Sequence, residues 1–297
     1  MQVPYTILDV FTKNRLEGNQ LAVVFDGDKV PEEQKQLIAK EFNLSETVFL
    51  CRPENERHIA SLRIFTPGEE LPFAGHPTVG AAVLLGLRKH VTAIRLELKV
   101  GTIVALTDPE SKMVGHARFS LPNLPERLGD APDIGQLATA LGIDEHEIGV
   151  AGMVPGLYSA GVPFVVVPVK DEAALSRIKL ERRGWQGTFG SFSDKVYAFT
   201  YAGEGRLPIF SARAFVEMDG VREDAATGSA AAALCGLLAE QYFAGQEGLI
   251  DFIIKQGADM GRPSFIEAQI KTENGEVTHA GIGGHAVVVA DGTLFIE

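Results

Sequence analysis

Short runs of β-branched and aromatic residues dominate the first part of the chain: YTILDVF at 5–11, QLAVVF at 20–25, TVFLC at 47–51 and HIASLRIF at 58–65. Turn formers such as Glu17-Gly18-Asn19 separate them, so each run predicts a strand. One stretch between them changes period. Pro31 opens it, Glu32 and Glu33 fill a first turn, and Leu37, Ile38 and Phe42 return at helical spacing, which predicts a helix. AIRLELKV, GTIVALT and HARFSL predict further strands in antiparallel style, and a second series follows with YSAGVPFVVVPV, KVYAFTYA, PIFSARAF, LIDFIIKQG and FIEAQI. The closing HAVVVADGTLFIE reads as a hairpin turned at Asp291-Gly292.

Two stretches break the strand pattern differently. HPTVGAAVLLG at 76–86 and SAAAALCGLLAE at 229–240 are small and apolar on every face, which predicts helices buried all round, as a helix wrapped by a curved sheet is. Pro77 reads as the first helical position of one, with Gly75 giving freedom for a sharp entry, and Thr227-Gly228-Ser229 feeds the other. Each helix start presents backbone N–H groups and partial positive charge. If the two starts face one another across a cleft, that cleft binds an anion, most simply a carboxylate.

The stretches also echo one another. An offset of 153 residues sets Gly75 on Gly228, His76 on Ser229, Gly80 on Ala233 and Leu84-Leu85 on Leu237-Leu238. Each follows an Arg-x-Phe strand end, Arg63-Ile64-Phe65 or Arg213-Ala214-Phe215, and GNQLAVV at Gly18 echoes GVPFVVV at Gly161. Such repetition predicts two pseudo-symmetric α+β domains. The segment from Leu121 to Ile134 carries Pro122, Pro125 and Pro132 without periodicity and reads as the connection between them. The expected division is 1–120 plus 281–297 for one domain and 121–280 for the other.

Composition narrows the function. A formal net charge of −12 over 297 residues offers no footprint for nucleic acid or an anionic membrane surface. No apolar run reaches the ~18 residues of a spanning helix, and the first residues lack a signal-peptide pattern, so a cytoplasmic location is expected. Cys51 and Cys235 form no C-x-x-C pair, and the seven histidines contain no H-x-x-x-H pair. Neither a disulfide nor a bound metal is expected, and no cofactor motif stands up to inspection. Gly281-Ile282-Gly283-Gly284 precedes a strand where a nucleotide loop precedes a helix, and Gly75 to Gly80 has P-loop glycine spacing without Lys-Ser/Thr. Ser229 is not in a G-x-S-x-G elbow, which argues against a hydrolase built on Ser229, His76 and Asp224. Trp185 reads as packing.

Candidate chemistry therefore gathers at the helix starts: His76 at one, and Glu223, Asp224 and Ser229 at the other. Each has a bland counterpart. His76 is equally readable as a structural histidine, Asp224 as a partner of helix N–H groups and Ser229 as an N-cap. Glu46, in NLSETVFL, reads locally as a turn residue.

NLSETVF, FTPGEELPFAGHP and VREDAATGSAAA resemble the three signature segments of the PhzF-like proteins, phenazine-biosynthesis isomerases related in fold to diaminopimelate epimerase. EGNQLAVVFD, GRPS at Gly261 to Ser264 and GGHAVVVADGTL extend the resemblance over essentially the whole chain. It implies an α+β fold of two pseudo-symmetric domains, each a curved, barrel-like antiparallel sheet around a central buried helix, with the active site between them, and a homodimer. The epimerase relatives use two cysteines at the helix starts. The matching places here are Ala74 and Thr227, so these residues argue against a two-thiol mechanism. The resemblance makes Glu46 the acid/base, and gives substrate-binding roles to His76, Asp224, Ser229, Gly75 and Gly228. The implied reaction is the cofactor-independent isomerisation of trans-2,3-dihydro-3-hydroxyanthranilate by a proton shift from C3 to C1, which needs one carboxylate that takes a proton and returns it. Two other readings stay open here: an isomerase or epimerase of another small amino-acid-like metabolite, and a non-catalytic metabolite-binding protein.

Overall fold

The computed structural model describes residues 1–180, 182–189, 193, 195–217 and 221–296. The chain divides into two compact units, Met1–Pro122 with Gly283–Glu297 and Asn123–Ile282. In the first unit the alternating runs form β1 (Gln2–Val10), β2 (Asn19–Val24), β3 (Glu46–Cys51), β4 (Ala60–Phe65), β5 (Glu70–Leu71), β6 (Ala93–Leu98), β7 (Gly101–Pro109) and β8 (Val114–Ser120). The predicted helix is α1 (Glu32–Phe42), with Pro31 at its N-cap, and the small-residue stretch is α2 (Gly75–Lys89).

Pairing runs β1 to β2, β2 to β3, β3 to β4, β4 to β6, β6 to β7 and β7 to β8. The last strand of the chain, β17 (Glu276–Phe295), pairs with both β8 and β1, which closes the ring into a barrel. Two neighbours are parallel, β2 with β3 and β4 with β6. Parallel neighbours need a crossover, and α1 and α2 supply these two. Every residue of α2 from Gly75 to Leu87 is buried, and the helix packs against β1, β2, β3, β6, β7 and β8.

The second unit contains β9 (Glu126–Asp130), α3 (Ile134–Leu141), β10 (Gly156–Ser159), β11 (Pro163–Pro168), α4 (Glu172–Arg177), α5 (Arg182–Phe189), β12 (Lys195–Glu204), β13 (Pro208–Glu217), β14 (Val221–Asp224), α6 (Gly228–Leu237), β15 (Gly248–Gln256) and β16 (Ser264–Glu273). Its pairing repeats the first unit's alternation. The pair β11 and β12 is parallel, β12 and β13 antiparallel, β13 and β15 parallel, and β15 and β16 antiparallel. Helix α6 packs against β9, β10, β11 and β16. Trp185, fully buried, sits 4.6 Å from the Phe189 ring in a core shared with Leu137, Leu141, Val165 and Val167.

Three sequence expectations need correction. The chain's end is not a hairpin: β17 runs straight through Asp291-Gly292, which pair with Thr6 and Tyr5 of β1. Gly292 makes room there, since a Cβ would fall 2.4 Å from Cζ of Tyr5. The nearby hairpin turn is Asn274-Gly275, where φ of 55° and 78° suit a tight turn between β16 and β17. The stretch from Leu121 to Ile134 is not structureless, because residues 126–130 form β9 and pair with β10. Pro77 occupies the third helical position of α2, still within the turn whose N–H groups lack intrahelical partners. Glycines 281, 283 and 284 lie inside β17 as strand residues. Among the described residues, no helix is long and apolar enough to cross a membrane.

Candidate active site

Glu46 is the first residue of β3 and pairs in register with Leu21 of β2. The Ser45 hydroxyl donates to Oδ1 of the buried Asn19 at 3.2 Å, tying the approach to β3 onto the start of β2. Helix α2 reaches the same place because Gly80 lets it settle on the strands. A Cβ at Gly80 would lie 2.4 Å from Cδ2 of Leu21 and 2.8 Å from Cγ2 of Val10. One turn earlier stands His76, the second residue of the helix, and its Nδ1 lies 2.8 Å from Oε2 of Glu46.

The pair is enclosed. The His76 side chain is 3% exposed and that of Glu46 16%, with the Phe11 ring centre 6.4 Å from the imidazole. Glu46 accepts from Nδ1–H, so the neutral tautomer carries its lone pair on Nε2, and Nε2 is buried with no partner among the described residues. A buried polar atom without a partner is costly. Gly75 is the first residue of α2, Ala74 is its N-cap with no side-chain hydrogen bond, and no acid occupies the first turn. Gly75 has no positive φ, so the entry to α2 does not draw on left-handed freedom there.

Asp224, Gly228 and Ser229 belong to the second unit. Asp224 ends β14, Gly228 opens α6 and Ser229 is the second helical residue, the same helical position that His76 holds in α2. The N-cap is Thr227, so the reading of Ser229 as an N-cap does not hold. Thr227 leaves its own helix uncapped by side chain because its hydroxyl donates to Oδ2 of Asp224 at 2.6 Å. Glu223 is taken up structurally. Arg213 grips both of its oxygens at 2.8 Å and also donates to the carbonyls of Leu175 and Ile178 beside the end of α4.

Sequence reasoning missed two features. The first is Gln256, the last residue of β15, whose buried amide bridges the turn from Asp224 to Thr227; a lone glutamine before a glycine carries no signal for this. The second is the counterpart of the Arg213 grip in the first unit, where Arg63 holds Glu70 at 2.7 and 2.8 Å. Glu70 and Glu223 are themselves 153 residues apart, so the offset search contained that signal.

The thiols stand elsewhere. Cys51 ends β3 and Cys235 lies within α6, where burial pushes its thiol up to about 12. The residues at the two N-caps are Ala74 and Thr227, and neither is a thiol.

The family profile described as phenazine biosynthesis-like protein matches residues 8–292. The chain belongs to that family. Family membership makes it an isomerase, and the reading of a merely metabolite-binding protein falls away. An uncharacterized isomerase of Mesorhizobium japonicum is 40% identical over 98% of both chains. The trans-2,3-dihydro-3-hydroxyanthranilate isomerase of Pseudomonas chlororaphis is 36% identical, covering 98% of this chain and 99% of its own length. A PhzF-family phenazine biosynthesis protein of Bacillus anthracis shares the fold over the full length of both chains, with a TM-score of 0.87 at 22% identity.

Proposed function

We propose that this phenazine biosynthesis-like isomerase moves a proton on trans-2,3-dihydro-3-hydroxyanthranilate, from C3 to C1, with Glu46 as the proton carrier and no cofactor. The observation that carries the reading is the enclosed Glu46–His76 pair with its unsatisfied Nε2. The 36% identity to an enzyme of that name supports this choice of substrate. In the proposed step the Glu46 carboxylate removes the C3 proton, the electron pair shifts through the conjugated ring system, and the same carboxyl returns a proton at C1. The net composition of the substrate does not change.

His76 holds Glu46 through Nδ1–H and offers Nε2 to a hydroxyl or amino donor of the substrate. On this reading the two units are pseudo-symmetric halves, each a curved sheet around a central helix. The N–H groups beside Gly75 and Gly228, with the Ser229 hydroxyl, take the carboxylate, and Asp224 takes a hydrogen-bond donor. A cytoplasmic homodimer completes the proposal. Glu46→Gln keeps the shape of the side chain and removes the base, so the folded variant is expected to lose turnover. A folded Glu46→Gln with full turnover would sink the assignment.

A second reading has its own support. The relative at 40% identity is named only as an isomerase, which fits the same chemistry applied to another small carboxylated, amino-acid-like metabolite. Turnover of such a compound with none of the dihydro-hydroxyanthranilate would favour it.

A further inference from the structure

The donors and acceptors around the Gln256 amide have only one consistent arrangement. Gln256 lies 2.8 Å from the Asp224 carbonyl, 3.2 Å from the Thr227 backbone nitrogen, 3.0 Å from the Thr227 hydroxyl and 2.9 Å from the Tyr197 hydroxyl. A backbone carbonyl only accepts and a backbone N–H only donates, so the amide orientation is decided by its partners. Nε2 faces the Asp224 carbonyl and Oε1 faces the Thr227 N–H. The amide nitrogen cannot accept, so the Thr227 hydroxyl receives a hydrogen bond from Nε2. Its own single proton is then left for Oδ2 of Asp224, 2.6 Å away. The Tyr197 hydroxyl donates to Oε1 from behind.

We infer that Gln256 and Thr227 are positioning residues that point a hydroxyl proton at the Asp224 carboxylate, holding it as an anion so that this end of the site selects a substrate with an amino or hydroxyl donor. Hydrogen bonds donated to a carboxylate favour its charged form. The relay is enclosed, with Tyr197 fully buried, Gln256 1% exposed and Thr227 9% exposed. Burial beside Cys235 and Asp224 keeps the Tyr197 phenol far above its ordinary range, so it stays a donor. Among the described residues, Tyr197 of β12 is electrostatically coupled to both Asp224 and Cys235 of α6, and Glu223 of β14 is gripped by Arg213. The inference rests on the reading of Asp224 as a substrate-binding group, but its direct test needs no turnover.

The test is a titration of the Asp224 carboxyl in the substrate-free protein, followed by carbon NMR on aspartate-labelled protein and assigned with Asp224→Asn. Thr227→Val removes the proton at nearly constant volume, and its midpoint is expected to rise by about one pH unit. Thr227→Ser keeps the hydroxyl and is expected to retain the wild-type midpoint. Thr227→Ala stands in for the valine variant if the latter does not fold. A midpoint unchanged in Thr227→Val or Thr227→Ala, or raised equally in Thr227→Ser, overturns the relay. Because no substrate is present, this outcome is separate from the Glu46→Gln turnover that decides the reaction itself.

Discussion

The starts of α2 and α6 are built alike and equipped differently. In each unit an Arg-x-Phe strand end places a guanidinium over the phenylalanine two residues on, 5.2 Å from the Phe65 ring centre and 5.0 Å from that of Phe215. In each, that arginine grips a glutamate of the next short strand, five residues before the helix begins. The helices then open with glycine, but the next residue is His76 in one and Ser229 in the other. The strand registers diverge in the same way. Setting Ala22 on Val165 sets Thr47 on Val196, and so places Lys195 where the first unit has Glu46. The scaffold is repeated, and the side chains proposed to do chemistry are not. The first unit ends in an imidazole with an unsatisfied nitrogen, and the second in a carboxylate fed by a saturated relay.

The largest expected effect separates the two starts directly. His76→Ala should lower kcat by roughly 10²–10⁴-fold, because Glu46, the proposed acid/base, loses the partner that positions it. Ser229→Ala should act mainly on KM. Steady-state kinetics on both variants checks this, and equal kcat losses would erase the functional contrast.

The grips should differ in stability. Arg213 and Glu223 are 12% and 19% exposed, and the arginine also serves α4 carbonyls. Arg213→Met therefore leaves buried groups unpaired and should cost about 3–5 kcal/mol in denaturant unfolding. Arg63 is 25% exposed and shares its charge with Glu32, itself 65% exposed, so Arg63→Met should cost about 1–2 kcal/mol. Equal losses would show that the extra contacts of Arg213 contribute nothing.

The Arg63 grip also has a pH signature. Its hydrogen bonds, with a smaller share from Lys99, hold the Glu70 carboxyl below the ordinary carboxylate range. A depressed carboxyl stabilises the fold above its unfolded pKa, and that contribution is lost as pH falls through the folded value. Arg63→Met should therefore lose stability at neutral pH and show a shallower decline in acid, as read by urea midpoints against pH. A further loss is expected at Gly80. Gly80→Ala should cost about 1–3 kcal/mol by pushing α2 off Leu21 and Val10.

Much of the fold was legible because strand runs, turn residues and the two small-residue stretches carry local physics. The barrel-closing role of β17 was not, because Asp291-Gly292 looks like a turn until Tyr5 is known to lie against the glycine. The site was half legible. His76, Asp224 and Ser229 stand at helix starts that sequence patterns reveal. Glu46 carries no local mark and entered through the family resemblance, while Gln256 acts through contacts that only the folded turn creates.

The most direct test of the proton-carrier role is isomerisation of trans-2,3-dihydro-3-hydroxyanthranilate in deuterated water by wild type and by Glu46→Gln, with product and label followed together. The account predicts deuterium-labelled product from wild type, and neither product nor label from the folded variant. A folded Glu46→Gln that forms product at the wild-type rate would contradict it.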